Sequence, residues 1–230
     1  MWDVAIRKTM GDAAHRFELD IAFSSDAPRI VLFGPSGAGK TLTLKAVAGL
    51  LRPDAGQISV VGDRLLDTAA GLEVPARERR LGYLFQEYAL FPHLTVRQNI
   101  AFGLDAGWRN PKRAAESAAV ARWIDDFELR SLADRFPDQL SGGQRQRTAL
   151  ARALVAGPRA LLLDEPFAAL DTPLRARLRA ELQELQERIA LPMLLITHDD
   201  SDVAAFADEV VHLAAGRVLS SAVGESANGA

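Results

Sequence analysis

Cysteine is absent from the 230 residues, which excludes disulfide bonds and thiolate metal sites within this sequence. This absence fits a reducing compartment. The chain also has no excess of positive charge, because 27 basic residues face 30 acidic ones and the formal net charge is −3. No basic field of the kind that attracts nucleic acid is apparent, so we expect no nucleic-acid partner.

Long apolar runs are missing as well. No stretch approaches the roughly 18 apolar residues of a membrane span, and residues 1–4 (MWDV) do not begin a secretory signal. Hydrophobic residues nevertheless make up 48% of the chain, enough to form a core. We therefore expect a soluble, cytoplasmic protein with a single domain over residues 1–220 and a flexible tail at 221–230.

A glycine-rich segment, GPSGAGKT at residues 34–41, follows an apolar run at 30–33 and precedes a helix-like stretch at 42–51. The glycines permit backbone angles at which successive N–H groups point toward an anion. Lys40 is placed to reach the β- and γ-phosphates of a nucleotide, and the Thr41 hydroxyl to ligate Mg²⁺. This strand, loop and helix context is that of a P-loop. It predicts a nucleotide site formed by Gly34, Pro35, Ser36, Gly37, Ala38, Gly39, Lys40, Thr41 and Leu42.

Polar residues follow three further predicted strands: Gln86 follows 81–85, Asp164 and Glu165 follow 159–163, and His198 follows 191–197. Ligands of open parallel sheets bind at such strand ends. Two adjacent carboxylates point to opposite faces, so Asp164 suits the Mg²⁺ shell and Glu165 is a candidate general base for water. His198 is placed to donate to a γ-phosphate oxygen. Gln86 alone is weak evidence for a site; the alternatives for the other residues are a capped turn before Pro166 and a structural histidine.

The segment LSGGQ at residues 140–144 opens a second predicted helix, 144–155. Ser141 is a good N-cap, and Gly142 and Gly143 leave backbone N–H groups open. The start of this helix at Gln144 is therefore a second candidate anion-binding site. An ordinary capped helix is the alternative.

Apolar periodicity organises the remaining chain. Alternation at residues 2–6 and 17–23 predicts an antiparallel β pair ahead of the nucleotide core. A helical block at about 95–155, including a helix at 111–127, interrupts the strand and helix alternation and is interpreted as an inserted subdomain. Arg77, Arg79 and Arg80 in the charged connector 73–80 are predicted to form a solvated edge. A long helix at 173–189, capped by Thr172 or Asp171, precedes the last strands.

Taken in order, GPSGAGKT, Gln86, LSGGQ, LLLDEP, residues 169–171 (ALD) and His198 resemble an ATP-binding cassette (ABC) ATPase from about residue 2 to 219. The resemblance implies an α/β fold: a P-loop NTPase with a RecA-like core sheet, an N-terminal antiparallel β subdomain and an inserted α-helical subdomain. It makes Gln86 the Q-loop glutamine, with catalytic and Mg²⁺-binding roles. It also makes residues 140–144 the signature, Asp171 the nucleotide-contacting D-loop aspartate and His198 the switch histidine. In this family two subunits sandwich two ATP molecules. The P-loop of one subunit, called Walker A and corresponding to residues 34–41 here, faces the signature of the other.

Within the family, residues 34–56, residues 71–104 and the short first hairpin look most like those of molybdate-import ATPases, with sulfate and other oxyanion importers close behind. This resemblance implies an ATPase at the inner face of the cell membrane that drives a membrane permease served by a substrate-binding protein. The sequence stops before the small C-terminal β domain of many import ATPases. A soluble ABC-type ATPase of another process and a nucleotide-binding regulator without hydrolysis are the alternatives; intact Glu165 and His198 argue against the second.

The sequence departs from the family pattern at the adenine site. Family members usually place an aromatic residue before the first hairpin glycine, and here Met10 precedes Gly11. Two candidates remain: Met10 packs on the base through its thioether, or Phe17 takes the place of the aromatic residue.

Overall fold

The computed structural model describes residues 1–11, 16–104, 111, 117–168 and 171–223. This part of the chain forms one mixed sheet with helices on both faces. The strands are β1 (Trp2–Gly11), β2 (Arg16–Ser25), β3 (Arg29–Phe33), β4 (Ala55–Val60), β5 (Asp63–Asp67), β6 (Leu72–Glu73), β7 (Leu81–Leu84), β8 (Ala160–Asp164), β9 (Met193–Thr197), β10 (Glu209–Ala214) and β11 (Arg217–Val223). The helices are α1 (Lys40–Ala48), α2 (Val96–Phe102), α3 (Ala118–Asp126), α4 (Gly142–Leu154), α5 (Thr172–Ile189) and α6 (Asp200–Phe206), with 3₁₀ turns at Ala76–Glu78, Arg130–Leu132 and Pro137–Gln139.

The strand order across the sheet is β6-β5-β4-β1-β2-β11-β10-β3-β9-β8-β7. Strands β10, β3, β9, β8 and β7 are parallel neighbours, whereas β1, β2, β4, β5 and β6 form antiparallel ladders. Because helices cover both faces of the parallel part, its strands are continuous apolar runs, and all five residues of β8 are buried. The carboxyl ends of β3, β7, β8 and β9 therefore meet at one edge of the sheet.

Two hydrophobic cores lie on the two faces of this sheet. Leu163 and Leu195 point into the core that contains residues of α2 to α6. Leu162 and Ile196, one position away on the same strands, point into the core that contains α1 and the N-terminal strands. This alternation also decides which face each polar residue at a strand end occupies.

The predicted β pair at the N-terminus is present. Strands β1 and β2 pair antiparallel from Trp2 opposite Ser25 to Gly11 opposite Arg16, which places Met10 opposite Phe17. The predicted closing hairpin is present as β10 and β11. Strands β5 and β6 were not predicted, because both are short and rich in charged residues.

Several predicted boundaries were wrong by a few residues. The helix expected at 42–51 begins at Lys40 and ends at Ala48, because Gly49 adopts a left-handed φ of 79° that ends the helix. The helix expected at 111–127 is described as α3, and residues 112–116 lie outside the described part. Residues 169–170 and 224–230 also lie outside it. Helices α2 to α4 follow β7 and precede β8 in the chain, while the division into subdomains stays a prediction.

Arg79 contradicts the predicted solvated edge. Arg77 and Arg80 are exposed, but Arg79 is 1% exposed and donates to the carbonyls of Val74, Ala46 and Val47, each at 2.8 Å. Burial lowers the pKa of this guanidinium, and Glu73 opposes the change. Arg79 thus joins the connector to the C-terminal end of α1.

Among the described helices, none combines the length and the apolar character that crossing a bilayer requires.

Candidate nucleotide site

The loop at residues 34–39 turns the chain from β3 into α1 within a tightly packed space. A Cβ on Gly34 would lie 2.1 Å from the carbonyl oxygen of Leu213. Gly39 has φ of 97°, and a Cβ there would lie 2.6 Å from Leu19 Cδ1. Only glycine fits both positions, which explains the residue spacing of the motif.

Lys40 begins α1 and its ammonium lies inside the loop. The residue is 4% exposed, and Nζ donates to the carbonyls of Gly34 at 2.7 Å and Pro35 at 3.0 Å. Glu165 Oε1 is 3.9 Å from Nζ. Burial lowers the pKa of Lys40, and the charges of Glu165 and Asp164 oppose this. A buried cation with a partial set of partners is suited to hold an anion in the loop.

Asp164 ends β8 and is 4% exposed. Its Oδ1 accepts from the Thr41 hydroxyl at 3.0 Å, and its Oδ2 accepts from the Tyr83 hydroxyl at 3.1 Å. Burial raises the pKa of Asp164, whereas the Thr41 and Tyr83 hydrogen bonds lower it. Burial, followed by the charge of Asp164, also raises the pKa of Tyr83, which keeps its phenol a protonated donor.

The donor set at Asp164 and Thr41 fits Mg²⁺, a hard cation that prefers oxygen ligands. Within the described ranges, no group of three or more His, Cys, Asp or Glu side chains is arranged to hold a metal. A cation beside Thr41 would therefore take its remaining ligands from phosphate oxygens and water, which is the usual arrangement for Mg²⁺ at nucleotides. The metal roles of Thr41, Gln86 and Asp164 stay predictions.

Glu165 and His198 lie together at the ends of adjacent strands. His198 Nδ1 is 3.3 Å from Glu165 Oε2, and the side chains are 61% and 17% exposed, respectively. Glu165 has φ of 46°, a left-handed conformation that is uncommon for a residue with a side chain and is found preferentially at functional sites. The unusual backbone conformation turns this carboxylate toward Lys40 and His198.

A cavity of about 410 Å³ lies in front of the loop. Phe17 borders it, whereas Met10 is not among its lining residues and has a 37% exposed side chain. The complete lining is Phe17, Ser36, Gly37, Ala38, Gly39, Lys40, Thr41, Leu42, Gln86 and Glu165. Of the two candidates for the adenine contact, Phe17 therefore has the favourable position.

The predicted second anion site begins α4, away from this cavity. Ser141 Oγ accepts from the Gln144 amide at 3.3 Å, and Gln144 Oε1 accepts from the Ser141 amide at 2.9 Å, a capping box. Gly142 is half-buried and Gly143 is buried. Asp171 caps α5 by accepting from the Leu174 amide at 2.9 Å. The nucleotide roles of Ser141, Gly142, Gly143, Gln144 and Asp171 stay predictions, because the described residues of one chain do not bring them to the cavity.

Tyr83 was missed by the sequence analysis. Tyr83 lies in β7, three residues before Gln86, and a half-buried tyrosine usually finds a partner for its hydroxyl. That tendency was the available signal.

Comparison with known proteins identifies the family. A family model described as "ABC transporter" matches residues 21–168, well over half of the chain. The chain belongs to the ABC transporter family. This membership confirms the resemblance seen in the motifs, and the matched range contains the P-loop, the LSGGQ segment and the acidic end of β8.

Relatives within the ABC transporter family include import proteins. The chain is 44% identical over 202 residues to the molybdenum import ATP-binding protein ModC of Rhizobium etli, covering 88% of this chain and 56% of the relative. It is 43% identical over 213 residues to the sulfate/thiosulfate import ATP-binding protein CysA of Synechocystis sp., covering 93% and 58%. The chain thus spans a little under three fifths of the length of these two relatives.

Solved structures confirm the predicted α/β P-loop NTPase fold. The ATP-binding cassette MJ0796, in a dimeric post-hydrolysis state bound to ADP and Pi, superposes with a TM-score of 0.78 at 26% identity, covering 97% of this chain and 98% of that chain. A second dimeric structure of the MJ0796 cassette gives a TM-score of 0.79.

Proposed function

We propose that this chain is the ATP-hydrolysing, energy-coupling subunit of an ABC importer for oxyanions of the molybdate and tungstate type. One observation carries the proposal: the ends of adjacent parallel strands bring Lys40, Asp164, Glu165 and His198 together around a P-loop. The names of the relatives, which concern molybdenum and sulfate/thiosulfate import, support an oxyanion as cargo. Sulfate is accordingly the second candidate cargo.

The proposed reaction is the hydrolysis of ATP to ADP and phosphate. Lys40 and the backbone amides of the loop bind the β- and γ-phosphates. Mg²⁺, when bound beside Thr41 and Asp164, supplies positive charge that neutralises the phosphates. Glu165 accepts a proton from the attacking water, whose oxygen forms the new bond to the γ-phosphorus while the bond to ADP breaks. His198 contacts the same carboxylate and, from its exposed position, donates to a γ-phosphate oxygen.

Two copies of the chain are proposed to form the working unit. The LSGGQ segment does not line the P-loop cavity within the described part of one chain, so a second copy is required to bring a signature to that cavity. Ser141 and the α4 start of the partner would then add hydrogen bonds to a γ-phosphate that ADP lacks. ATP binding therefore closes the dimer and hydrolysis relaxes it. The dimeric MJ0796 cassettes support this arrangement.

A membrane permease is the proposed partner on the inner face of the membrane, and a substrate-binding protein acts indirectly. The Gln86 loop and the helices at about 95–155 would transmit the closure to the permease. Support comes from the import names of the relatives.

The catalytic assignment is tested by Glu165→Gln, which keeps the shape of the side chain but removes the base. We expect ATP binding to persist and turnover to fall at least about 10²-fold, the scale of a general base. Glu184→Gln, an exposed substitution on α5 with the same loss of charge, is the matched control. An unchanged turnover of Glu165→Gln would remove Glu165 from this role.

The transport assignment is tested by purifying tagged Glu165→Gln protein from detergent-solubilised membranes in the presence of ATP. Recovery of a multi-span permease is expected. ATP hydrolysis by the parent protein with that permease should then increase with molybdate more than with sulfate. Recovery of soluble partners alone would instead favour an ABC-type ATPase of another process.

A further inference from the structure

Strand β7 places a tyrosine hydroxyl beside the acidic end of β8. Tyr83 pairs with Leu162, two residues before Asp164 and on the same face of β8. A diagonal neighbour in a sheet is within reach of a long aromatic side chain. The register therefore delivers the Tyr83 hydroxyl to Asp164 Oδ2, where it donates at 3.1 Å.

Both oxygens of the Asp164 carboxylate are thereby engaged by different elements of the fold. Thr41, at the start of α1, donates to Oδ1 at 3.0 Å, and Tyr83, on the neighbouring strand β7, donates to Oδ2. One hydrogen bond would leave the carboxylate able to rotate about its terminal torsion, which has a broad energy minimum. Two bonds from independent elements fix the plane of the carboxylate and direct Oδ1 toward Thr41.

The tyrosine ring is itself held in place. Its centroid lies 4.3 Å from that of Phe85 in a tilted arrangement. The ring also packs against the core that contains α1 and the buried residue Leu162. The hydroxyl therefore approaches Asp164 from a ring that packs against Phe85 and the core rather than from a free surface side chain.

We propose that Tyr83 is a positioning residue for the nucleotide-associated Mg²⁺: its hydroxyl holds the Asp164 carboxylate in the orientation that faces Thr41. The inference rests on the proposed ATPase function, to which it adds a residue that touches neither nucleotide nor metal. Groups that orient metal ligands through hydrogen bonds typically change metal affinity by about 10- to 100-fold when removed.

The test uses Tyr83→Phe, which deletes only the hydroxyl. Binding of a fluorescent ATP analogue is measured in excess EDTA and across a Mg²⁺ titration. We expect unchanged affinity in EDTA and about tenfold more Mg²⁺ needed for the half-maximal gain in affinity. Tyr88→Phe is the matched control, because the Tyr88 hydroxyl is buried and has no hydrogen-bond partner in the described part of the chain. Its Mg²⁺ titration should coincide with that of the parent.

A double substitution shows whether Tyr83 acts through Asp164. In an Asp164→Asn background, Tyr83→Phe should produce no further change in the Mg²⁺ requirement, because the positioned carboxylate is already gone. A further tenfold change in that background, of about the size expected alone, would show that Tyr83 acts elsewhere and would overturn the proposal.

Three other results distinguish the positioning role of Tyr83 from the proposed ATPase function. A Tyr83→Phe titration that coincides with the parent overturns the positioning role while leaving the ATPase function intact. An equal loss of affinity in EDTA and in Mg²⁺ identifies a purely structural effect and overturns it as well. Absence of Mg²⁺-dependent ATP binding by the parent would overturn both the inference and the proposed function.

Discussion

Replacing Arg79 by methionine should destabilise the whole domain although Arg79 is far from any proposed chemistry in the chain. Its guanidinium is buried against the C-terminal end of α1. Carbonyls at the end of a helix lack intrahelical donors. The amides of Leu50 and Leu51 both turn back to the Lys45 carbonyl, so the Val47 carbonyl depends on Arg79 Nη1. Methionine fills much of the volume of the Arg79 side chain but provides no hydrogen-bond donor for the Val47 carbonyl oxygen.

The magnitude follows from three hydrogen bonds of 2.8 Å to Val74, Ala46 and Val47. Hydrogen bonds from a charged donor contribute about 1.5–3 kcal/mol each, or together about 4.5–9 kcal/mol. Removal of the guanidinium also relieves its desolvation cost, which is several kcal/mol for a buried ion and offsets part of the loss. We expect the free energy of unfolding to fall by about 2–4 kcal/mol.

Equilibrium unfolding in urea, followed by tryptophan fluorescence, measures this change. The matched control is Arg77→Met, two residues away, because the Arg77 side chain is 76% exposed and pairs only weakly with Glu78. Its unfolding free energy should change by less than about 0.5 kcal/mol. Equal stabilities of the Arg79→Met and parent proteins would refute the energetic role assigned to the three carbonyl contacts.

Three further tests, two of them with a matched comparison, address the nucleotide site. Lys40→Ala should lower ATP affinity at least about tenfold, because it removes a charged donor; retained tight binding in equilibrium dialysis would contradict the P-loop assignment. Phe17→Ala should weaken ATP binding about tenfold through lost stacking, and Met10→Ala should not; the reverse pattern would favour the thioether contact. Gly39→Ala and Gly157→Ala both place alanine at positive φ, which should cost about 1–2 kcal/mol of stability at Gly157 and more at Gly39, where the Cβ would also lie 2.6 Å from Leu19 Cδ1. Only Gly39→Ala should impair ATP binding, since nothing lies within 4 Å of a Cβ at Gly157.

The residues at the P-loop and at the end of β8 could be located from the sequence more easily than the contacts that hold them in place. Gly34, Lys40 and Thr41 were predictable because the loop geometry restricts which residues fit at each position. Asp164 was predictable because it directly follows an apolar run that reads as a buried strand. These are local signals, and they remain visible in a single segment of sequence.

Contacts between distant segments were not predictable in the same way. Arg79 lies in a charged connector, and only the packing of that connector against α1 shows that its guanidinium is buried. The link between Tyr83 and Asp164 depends on the pairing of β7 with β8, two strands that are far apart in the sequence. Strand neighbours in a parallel sheet cannot be assigned from alternation of residues within either strand. The strands β5 and β6 escaped prediction for a different reason, because both are short and rich in charged residues.

The position of β7 in the strand order separates the site into parts that differ in how they can move. Within the described part of the chain, β7 is the last strand of the sheet and is held by a single ladder of four residue pairs to β8. Strands β8 and β9, which end immediately before Glu165 and His198, are each paired on both sides. Displacing β7, which precedes Gln86, would break one ladder, whereas displacing β8, which ends next to Glu165, would break two. The proposed base thus follows a strand that is held on both sides, and Gln86 follows the strand that is held on one side.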